Sequence, residues 1–275
     1  MASKIQAVFF DLGDTLVQIS FVTLAKICKR ISEVRGVPLN TDEYTRAFRN
    51  EWDNRSNPSE TKLVKDIKTD ADESERRYWR NFFKSLILSL GISSDQSELI
   101  EWLINIYTDP KSFVCFDDVY RVLSELKSKD LTLGIISNAF PSADKILDRL
   151  NLRQYFKYIF LSFELPYAKP ETEVYHFVAN KTNILIENII FIDDRWSFVK
   201  GAQEANMDAL LIERFPEKSP EVHTKSSVKK IRNLKELMEI INFSQVEEIN
   251  VPQEQEPFSI DRRDEFWNFC KLPIK

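Results

Sequence analysis

The chain has 275 residues, of which 43% are apolar and 12% aromatic, a globular composition with room for about two domains of ~100–200 residues each. Its 43 acidic residues outnumber 38 lysines and arginines, and the resulting net charge of −5 disfavours a basic nucleic-acid groove or a polybasic membrane anchor. Two histidines, and three cysteines without CxxC spacing, argue against a zinc site, a histidine-based triad or a disulfide framework.

The first predicted element is a buried strand over residues 5–10, which ends at Asp11 and is followed by Gly13. Residues 20–110 show helical periodicity without strand signals. Aromatic residues between Tyr78 and Leu90 fall on one helical face, a stripe typical of packing between helices. This part of the chain is therefore predicted to be a helical insertion after the first strand.

Beyond residue 110, predicted strands alternate with predicted helices. The strands are expected at 131–136, 158–161, 189–192 and 209–212, and the helices at 118–127, 143–150, 173–181 and 197–206. Such alternation is typical of βαβ units. It predicts an α/β fold with a doubly wound parallel sheet, and a ligand crevice at the carboxyl ends of the strands.

These patterns divide the chain into an α/β core at 1–18 and 112–243, a helical insertion at 19–111, and a C-terminal tail at 244–275. Such a tail is typically a strap across its own domain or a dimer contact, so a homodimer is among the expected states. No run approaches the roughly 20 apolar residues of a membrane helix, and the chain start is not a secretion signal. We expect a soluble, cytoplasmic protein with neither a membrane nor a nucleic acid as partner.

Four polar signatures lie at or shortly after the ends of predicted strands. They are Asp11-Leu12-Gly13-Asp14-Thr15, Ser137-Asn138, Lys169-Pro170 and Asp193-Asp194. Asp11 and the pair Asp193-Asp194 are hard oxygen ligands of the kind that suits Mg²⁺. A divalent cation there would offset the charge repulsion when a carboxylate attacks a phosphate ester.

The order and context of these signatures resemble the haloacid dehalogenase superfamily, whose members are mostly magnesium-dependent phosphatases with an aspartate nucleophile. The resemblance covers roughly residues 5–212 and implies a Rossmann-like core in which the insertion at 19–111 is a helical cap of the C1 type. A cap of that size favours a small phosphorylated metabolite as the substrate.

The resemblance also implies roles for individual residues. Asp11 would be the nucleophile that becomes an aspartyl-phosphate, and it would bind the metal. Asp194 would be the metal ligand of the fourth motif, supported by Asp193 and by the backbone carbonyl of Gly13. The other three residues would bind the phosphoryl group of the substrate. Ser137 would donate a hydrogen bond from its hydroxyl, Asn138 would donate one from its backbone N–H, and Lys169 would supply positive charge.

Gly13 departs from the family pattern, because that position usually carries the aspartate that acts as general acid and base. Glycine transfers no proton, and such help is worth about 10²–10⁴ in rate. Three explanations remain open: Asp14 takes the role, the cap supplies an acid or a water path, or the natural leaving group needs no proton. An acyl phosphate or a halide would be such a leaving group.

Two alternatives to a phosphatase follow from the departures. Dehalogenases of the family also lack this aspartate, but they work without metal, and the paired Asp193-Asp194 would then repel the nucleophile without compensation. A non-catalytic relative that keeps the fold is the other alternative. It is motivated by Gly13 and by Phe198, which stands where the family often has a polar residue that supports the metal.

Overall fold

The structure is a computed structural model that describes residues 5–55, 70–93, 95–215 and 228–241. The predicted tail at 244–275 lies outside the described residues. Within the described ranges, no helix has both the length and the apolar character that a membrane crossing requires.

The strands alternate along the chain with helices, as the sequence patterns predict for the core. They are β1 (Ala7–Phe10), β2 (Val17–Ile19), β3 (Phe113–Cys115), β4 (Thr132–Ser137), β5 (Tyr158–Leu161), β6 (Ile189–Asp193), β7 (Asp208–Ile212) and β8 (Lys230–Ile231). Six of them form a parallel sheet in the order β5-β4-β1-β6-β7-β8. The predicted α/β class with a parallel sheet is confirmed.

The helices fall into a group between β2 and β3 and a group interleaved with the sheet. They are α1 (Phe21–Arg35), α2 (Thr41–Arg55), α3 (Ala71–Ser89), α4 (Ser97–Thr108), α5 (Val119–Ser128), α6 (Ser142–Arg149), α7 (Thr172–Thr182), α8 (Trp196–Glu204) and α9 (Lys235–Ile240). We call α1 to α4 the helical segment. Its status as a separate cap, with the boundaries 19–111, stays a prediction.

The aromatic stripe of α3 lies inside the helical segment, as its periodicity predicts. Phe82, Phe83 and Leu86 are fully buried there, in one cluster with side chains of α1 and α4. The cluster also includes Phe140, which belongs to the loop after β4. The helical segment is therefore packed around its own apolar interior and reaches one loop of the sheet.

A short antiparallel ribbon joins the helical segment to the sheet. In it, β2 pairs with β3 so that Val17 lies opposite Cys115 and Ile19 opposite Phe113. Neither strand, nor β8, was predicted from the sequence, because runs of two or three residues carry no readable periodicity. The ribbon brings the two ends of the helical segment side by side, directly after the loop that contains Asp11.

Candidate active site

Polar side chains from three adjacent strands meet at one edge of the sheet. Ser137 ends β4, Asp11 follows β1, and Asp193 ends β6; these strands are neighbours in the order β4-β1-β6. Parallel strands bring their carboxyl ends to the same edge. A backbone hydrogen bond of 2.8 Å from the N–H of Asp11 to the carbonyl of Ile192 extends the pairing of β1 with β6 to this edge.

Three carboxylates form a cluster at this edge. Asp11, Asp193 and Asp194 each offer an oxygen within 4.8 Å of the others. Burial, together with the charge of Asp11, raises the pKa of Asp193 to about 7. Burial also raises the pKa of Asp194 well above its usual range, and the negative charges of Asp193, Asp14 and Asp11 add to this effect. The cluster therefore favours positive charge, and its hard oxygen donors fit Mg²⁺.

Lys169 supplies positive charge to the same cluster. Its Nζ donates to Oδ1 of Asp11 and to Oδ2 of Asp193, both at 2.6 Å, and its side chain is fully buried. Burial by itself lowers the pKa of a lysine, but the charges of Asp11 and Asp193 outweigh that effect and raise the pKa of Lys169. The lysine is thus held as a cation between the predicted nucleophile and a predicted metal ligand.

Asn138 determines where the backbone of Lys169 lies. Its side-chain amide donates to the carbonyl of Lys169 at 2.8 Å and accepts from the Lys169 N–H at 2.9 Å. Only the backbone N–H of Asn138 was predicted to belong to the site, and nothing in the sequence pattern indicated this pair of side-chain bonds. Gly201 of α8 packs closely against the residue after Lys169, since a Cβ at that position would clash with the carbonyl oxygen of Pro170.

Removing the charge of Lys169 is expected to destabilise the fold. In metal-free buffer, Lys169→Met should lower the free energy of unfolding by about 3–5 kcal/mol, because Asp11 and Asp193 would face each other without a cation. Urea unfolding measures the change. The matched control is Lys200→Met, an exposed lysine paired with Glu204 at 3.4 Å, for which about 0.5 kcal/mol or less is expected. Equal losses in the two variants would contradict a stabilising role for Lys169.

Gly13 and Asp14 are neighbours in the chain but have different surroundings in the structure. Gly13 is exposed, and a Cβ built on it has no heavy atom within 4 Å. Asp14 has a left-handed backbone conformation, with φ of 52°, and its carboxylate lies 3.7 Å from the guanidinium of Arg49 on α2. An arginine of the helical segment therefore faces the residue that the sequence analysis considered as a replacement acid.

Phe198 is part of the lysine's environment. The Nζ of Lys169 lies 4.8 Å from the centroid of the Phe198 ring and 5.2 Å from that of Phe191. Attraction between a cation and an aromatic ring is strengthened by burial. The residue that departs from the family pattern thus contacts Lys169, and its aromatic ring adds to the stabilisation of the lysine's charge.

Arg214, which was not predicted from the sequence, has a buried side chain that holds the turn after Asp11. Arg214, which follows β7, donates through Nη2 to the carbonyl of Thr15 at 2.8 Å. Its Nη1 donates to both carboxylate oxygens of Asp118, at 2.8 and 2.9 Å. Its guanidinium lies 4.2 Å from the ring centroid of Phe116. A single arginine in a turn-rich connector gives no sequence signal of this contact, since its partners are distant in the chain.

Comparisons with known proteins show which family the chain is similar to. A model of the haloacid dehalogenase-like hydrolases matches residues 5–206. A glyceraldehyde 3-phosphate phosphatase of Methanothermobacter thermautotrophicus is 26% identical over 214 residues, which cover 76% of this chain and 85% of that protein. The family model therefore spans the helical segment and the strands from β1 to β6.

Solved structures share the fold at lower identity. The HAD-hydrolase YfnB of Bacillus subtilis, in a magnesium-bound crystal structure, has a TM-score of 0.60 at 22% identity and covers 87% of this chain and 99% of that one. An L-2-haloacid dehalogenase of Xanthobacter autotrophicus has a TM-score of 0.64 at 18% identity, covering 88% and 100%. These likenesses establish the fold alone, whereas the family model spans most of the chain. The protein belongs to the haloacid dehalogenase-like hydrolases.

Proposed function

We propose that the protein is a magnesium-dependent phosphatase that hydrolyses a small phosphorylated metabolite through an aspartyl-phosphate on Asp11. The observation that carries the proposal is the clustering of Asp11, Asp193, Asp194 and Lys169 at one edge of the sheet. A relative named as a glyceraldehyde 3-phosphate phosphatase supports phosphate chemistry and a small substrate.

In this mechanism Asp11 attacks the phosphorus atom with Oδ2, the carboxylate oxygen that Lys169 does not hold. The bond between phosphorus and the leaving oxygen breaks as the bond to Oδ2 forms, and the leaving oxygen takes up a proton. Water then attacks the acyl phosphate, which releases inorganic phosphate and a proton and regenerates the Asp11 carboxylate. Lys169 keeps the carboxylate oriented, and Ser137 donates a hydrogen bond to a phosphoryl oxygen. When bound by Asp11, Asp193, Asp194 and the carbonyl of Gly13, Mg²⁺ supplies the positive charge that an anionic nucleophile and an anionic ester require.

Halide displacement is the alternative chemistry, and the carboxylate cluster argues against it. The carboxylates of Asp193 and Asp194, both with raised pKa values, would lie beside the anionic nucleophile Asp11 without a compensating divalent ion. A non-catalytic role is also disfavoured, because the predicted nucleophile and Lys169 are in direct contact. A metal-dependent phosphatase accounts for all four charged residues of the site, Asp11, Lys169, Asp193 and Asp194.

A panel of substrates tests the proposed function. It contains alkyl, aryl and acyl phosphates, including glyceraldehyde 3-phosphate, and 2-haloacids, each assayed with Mg²⁺ and with EDTA. We expect phosphate release that requires Mg²⁺. Halide release without metal would establish the dehalogenase alternative, and inactivity on every compound would favour the non-catalytic one.

Metal binding is predicted independently of turnover. Mg²⁺ at about 100 times its Kd is expected to stabilise the folded protein by about 2.7 kcal/mol, because the ion binds the assembled carboxylates and not the unfolded chain. Thermal unfolding with and without Mg²⁺ measures this as a rise in Tm. Asp194→Asn should remove most of the rise. Asp208→Asn, an exposed position at the opposite end of β7 from the site, should retain it; similar rises in both variants would place the ion elsewhere.

A further inference from the structure

A buried glutamate of the helical segment contacts the loop that follows β4. Glu75 on α3 is 3% exposed, and one of its carboxylate oxygens accepts from the backbone N–H of Ser142 at 3.1 Å. The other oxygen accepts from the hydroxyl of Ser142 and from the indole N–H of Trp79. Ser142 is the first residue of α6, where backbone N–H groups favour a negative charge.

Aromatic packing reinforces this contact. Phe140, two residues before Ser142, is buried against α3, with ring centroids 4.7 Å from Tyr78 and 5.9 Å from Trp79. Helix α3 therefore contacts the loop at two points, one polar and one apolar. Both lie within five residues of Ser137, which ends β4.

The same loop is bonded to the catalytic lysine at its other end. Asn138 exchanges two hydrogen bonds with the backbone of Lys169, and Lys169 in turn holds Asp11 and Asp193. A continuous series of contacts thus runs from Glu75 through residues 138–142 to the nucleophile. Each link in it is a hydrogen bond or a covalently continuous stretch of loop.

The identity of residue 75 needs a reason beyond packing. Burying a carboxylate is costly, and burial raises the pKa of Glu75 despite its hydrogen bonds to Ser142 and Trp79. An apolar side chain would fill the same space in an aromatic cluster without that cost. What the carboxylate adds is a directional contact with two donors of one loop residue.

We propose that Glu75 is a positioning residue that fixes the loop of residues 138–142 against the helical segment and thereby sets the place of Lys169. The placement of the helical segment then controls the reactive centre, although no side chain of α3 needs to touch the substrate. The expected effect on turnover rests on the proposed function. The coupling between Glu75 and Lys169 is independent of the proposed function, so it is measured in a separate experiment.

Hydrogen exchange tests the coupling in the intact chain without any substrate. Glu75→Gln keeps the shape of the side chain, but it replaces one acceptor oxygen with an amide that has no lone pair for Ser142. We expect faster exchange of the backbone N–H of Ser142 and also of Lys169, whose N–H donates to Asn138. The matched control is Glu73→Gln, an exposed position on the same helix, which should leave both unchanged.

Kinetics test the consequence for the reaction. Coupling through such a network is worth roughly 2- to 30-fold, and we expect kcat for a phosphate ester to fall by that factor in Glu75→Gln and to stay unchanged in Glu73→Gln. Ser142→Ala removes the hydroxyl from the other side of the contact and should lower kcat in the same direction. The double variant should lose less than the product of the two single losses.

The outcomes separate the positioning role from a local structural role. Faster exchange at Ser142 with unchanged exchange at Lys169 would show that Glu75 stabilises only its own contact, and the proposal would be wrong. If Glu75→Gln fails to fold, hydrogen exchange and kcat are measured on Ser142→Ala instead. If no phosphate ester is hydrolysed, the proposed function fails, while exchange at Lys169 still decides whether the coupling exists.

Discussion

Asp11→Asn is expected to reduce phosphatase turnover by roughly 10⁴-fold or more, the scale seen when a nucleophile is removed from a catalytic unit. The amide has nearly the shape of the carboxylate, but it lacks the charge and the nucleophilic oxygen. Asp193 still neutralises Lys169 in the variant, at 2.6 Å, so the buried lysine keeps a partner and the fold is expected to survive. Steady-state phosphate release measures the loss, and thermal unfolding confirms that the protein is folded.

Asp208→Asn serves as the control for Asp11→Asn because it makes the same chemical change at the opposite edge of the sheet. Its turnover should equal that of the unaltered protein. Acid quenching during turnover, followed by mass spectrometry, should detect a phosphorylated Asp11 only when the aspartate is present. A folded Asp11→Asn protein with most of its activity would exclude Asp11 as the nucleophile.

Gly13→Asp is expected to raise turnover of alkyl phosphates by about 10²-fold, and by up to about 10⁴-fold if proton transfer limits the rate. The resemblance to the family places an aspartate at this position, and the structure leaves space for one. A Cβ on Gly13 meets no heavy atom within 4 Å, and the residue is exposed. The new carboxyl group would protonate a leaving oxygen that is otherwise a poor leaving group.

The ranking of substrates makes the test of Gly13→Asp specific. Acyl phosphates should gain little, because their leaving oxygen departs without a proton. Gly13→Asn is the matched control, since it has the same size without a transferable proton, and it should give no gain on alkyl esters. If Gly13→Asp also gives none, a group already in the site performs the proton transfer, and Asp14 beside Arg49 is the one to substitute next.

The sequence was sufficient for the arrangement of the core. Residues 7–10 and 189–192 are apolar throughout because a parallel strand is covered on both faces, and such runs are recognisable without a structure. The polar residues that follow these runs come together because parallel strands end at one edge. For the same reason, Asp11, Ser137 and Asp193 were predicted to be neighbours although they are far apart in the chain.

The sequence was not sufficient for contacts between side chains from unrelated segments. Glu75 and Ser142, or Arg214 and the carbonyl of Thr15, have no periodic pattern and no fixed spacing that would associate them. The predicted role of Asn138 was incomplete for the same reason, because its bonds to the backbone of Lys169 depend on how two loops pack. The assignment of Phe198 to a metal-supporting position likewise gave no indication of its contact with Lys169.

The sequence by itself therefore determined the fold class, the edge of the sheet where the candidate site lies and the residue types available there. Local periodicity and strand-end chemistry are properties of short segments, and they are readable one segment at a time. Only the tertiary structure decided which oxygen of Asp11 accepts from Lys169, how Asn138 places that lysine and which helix contacts the loop after β4. These features depend on the packing of loops and helices that are remote in the chain, and packing is a property of the whole folded molecule.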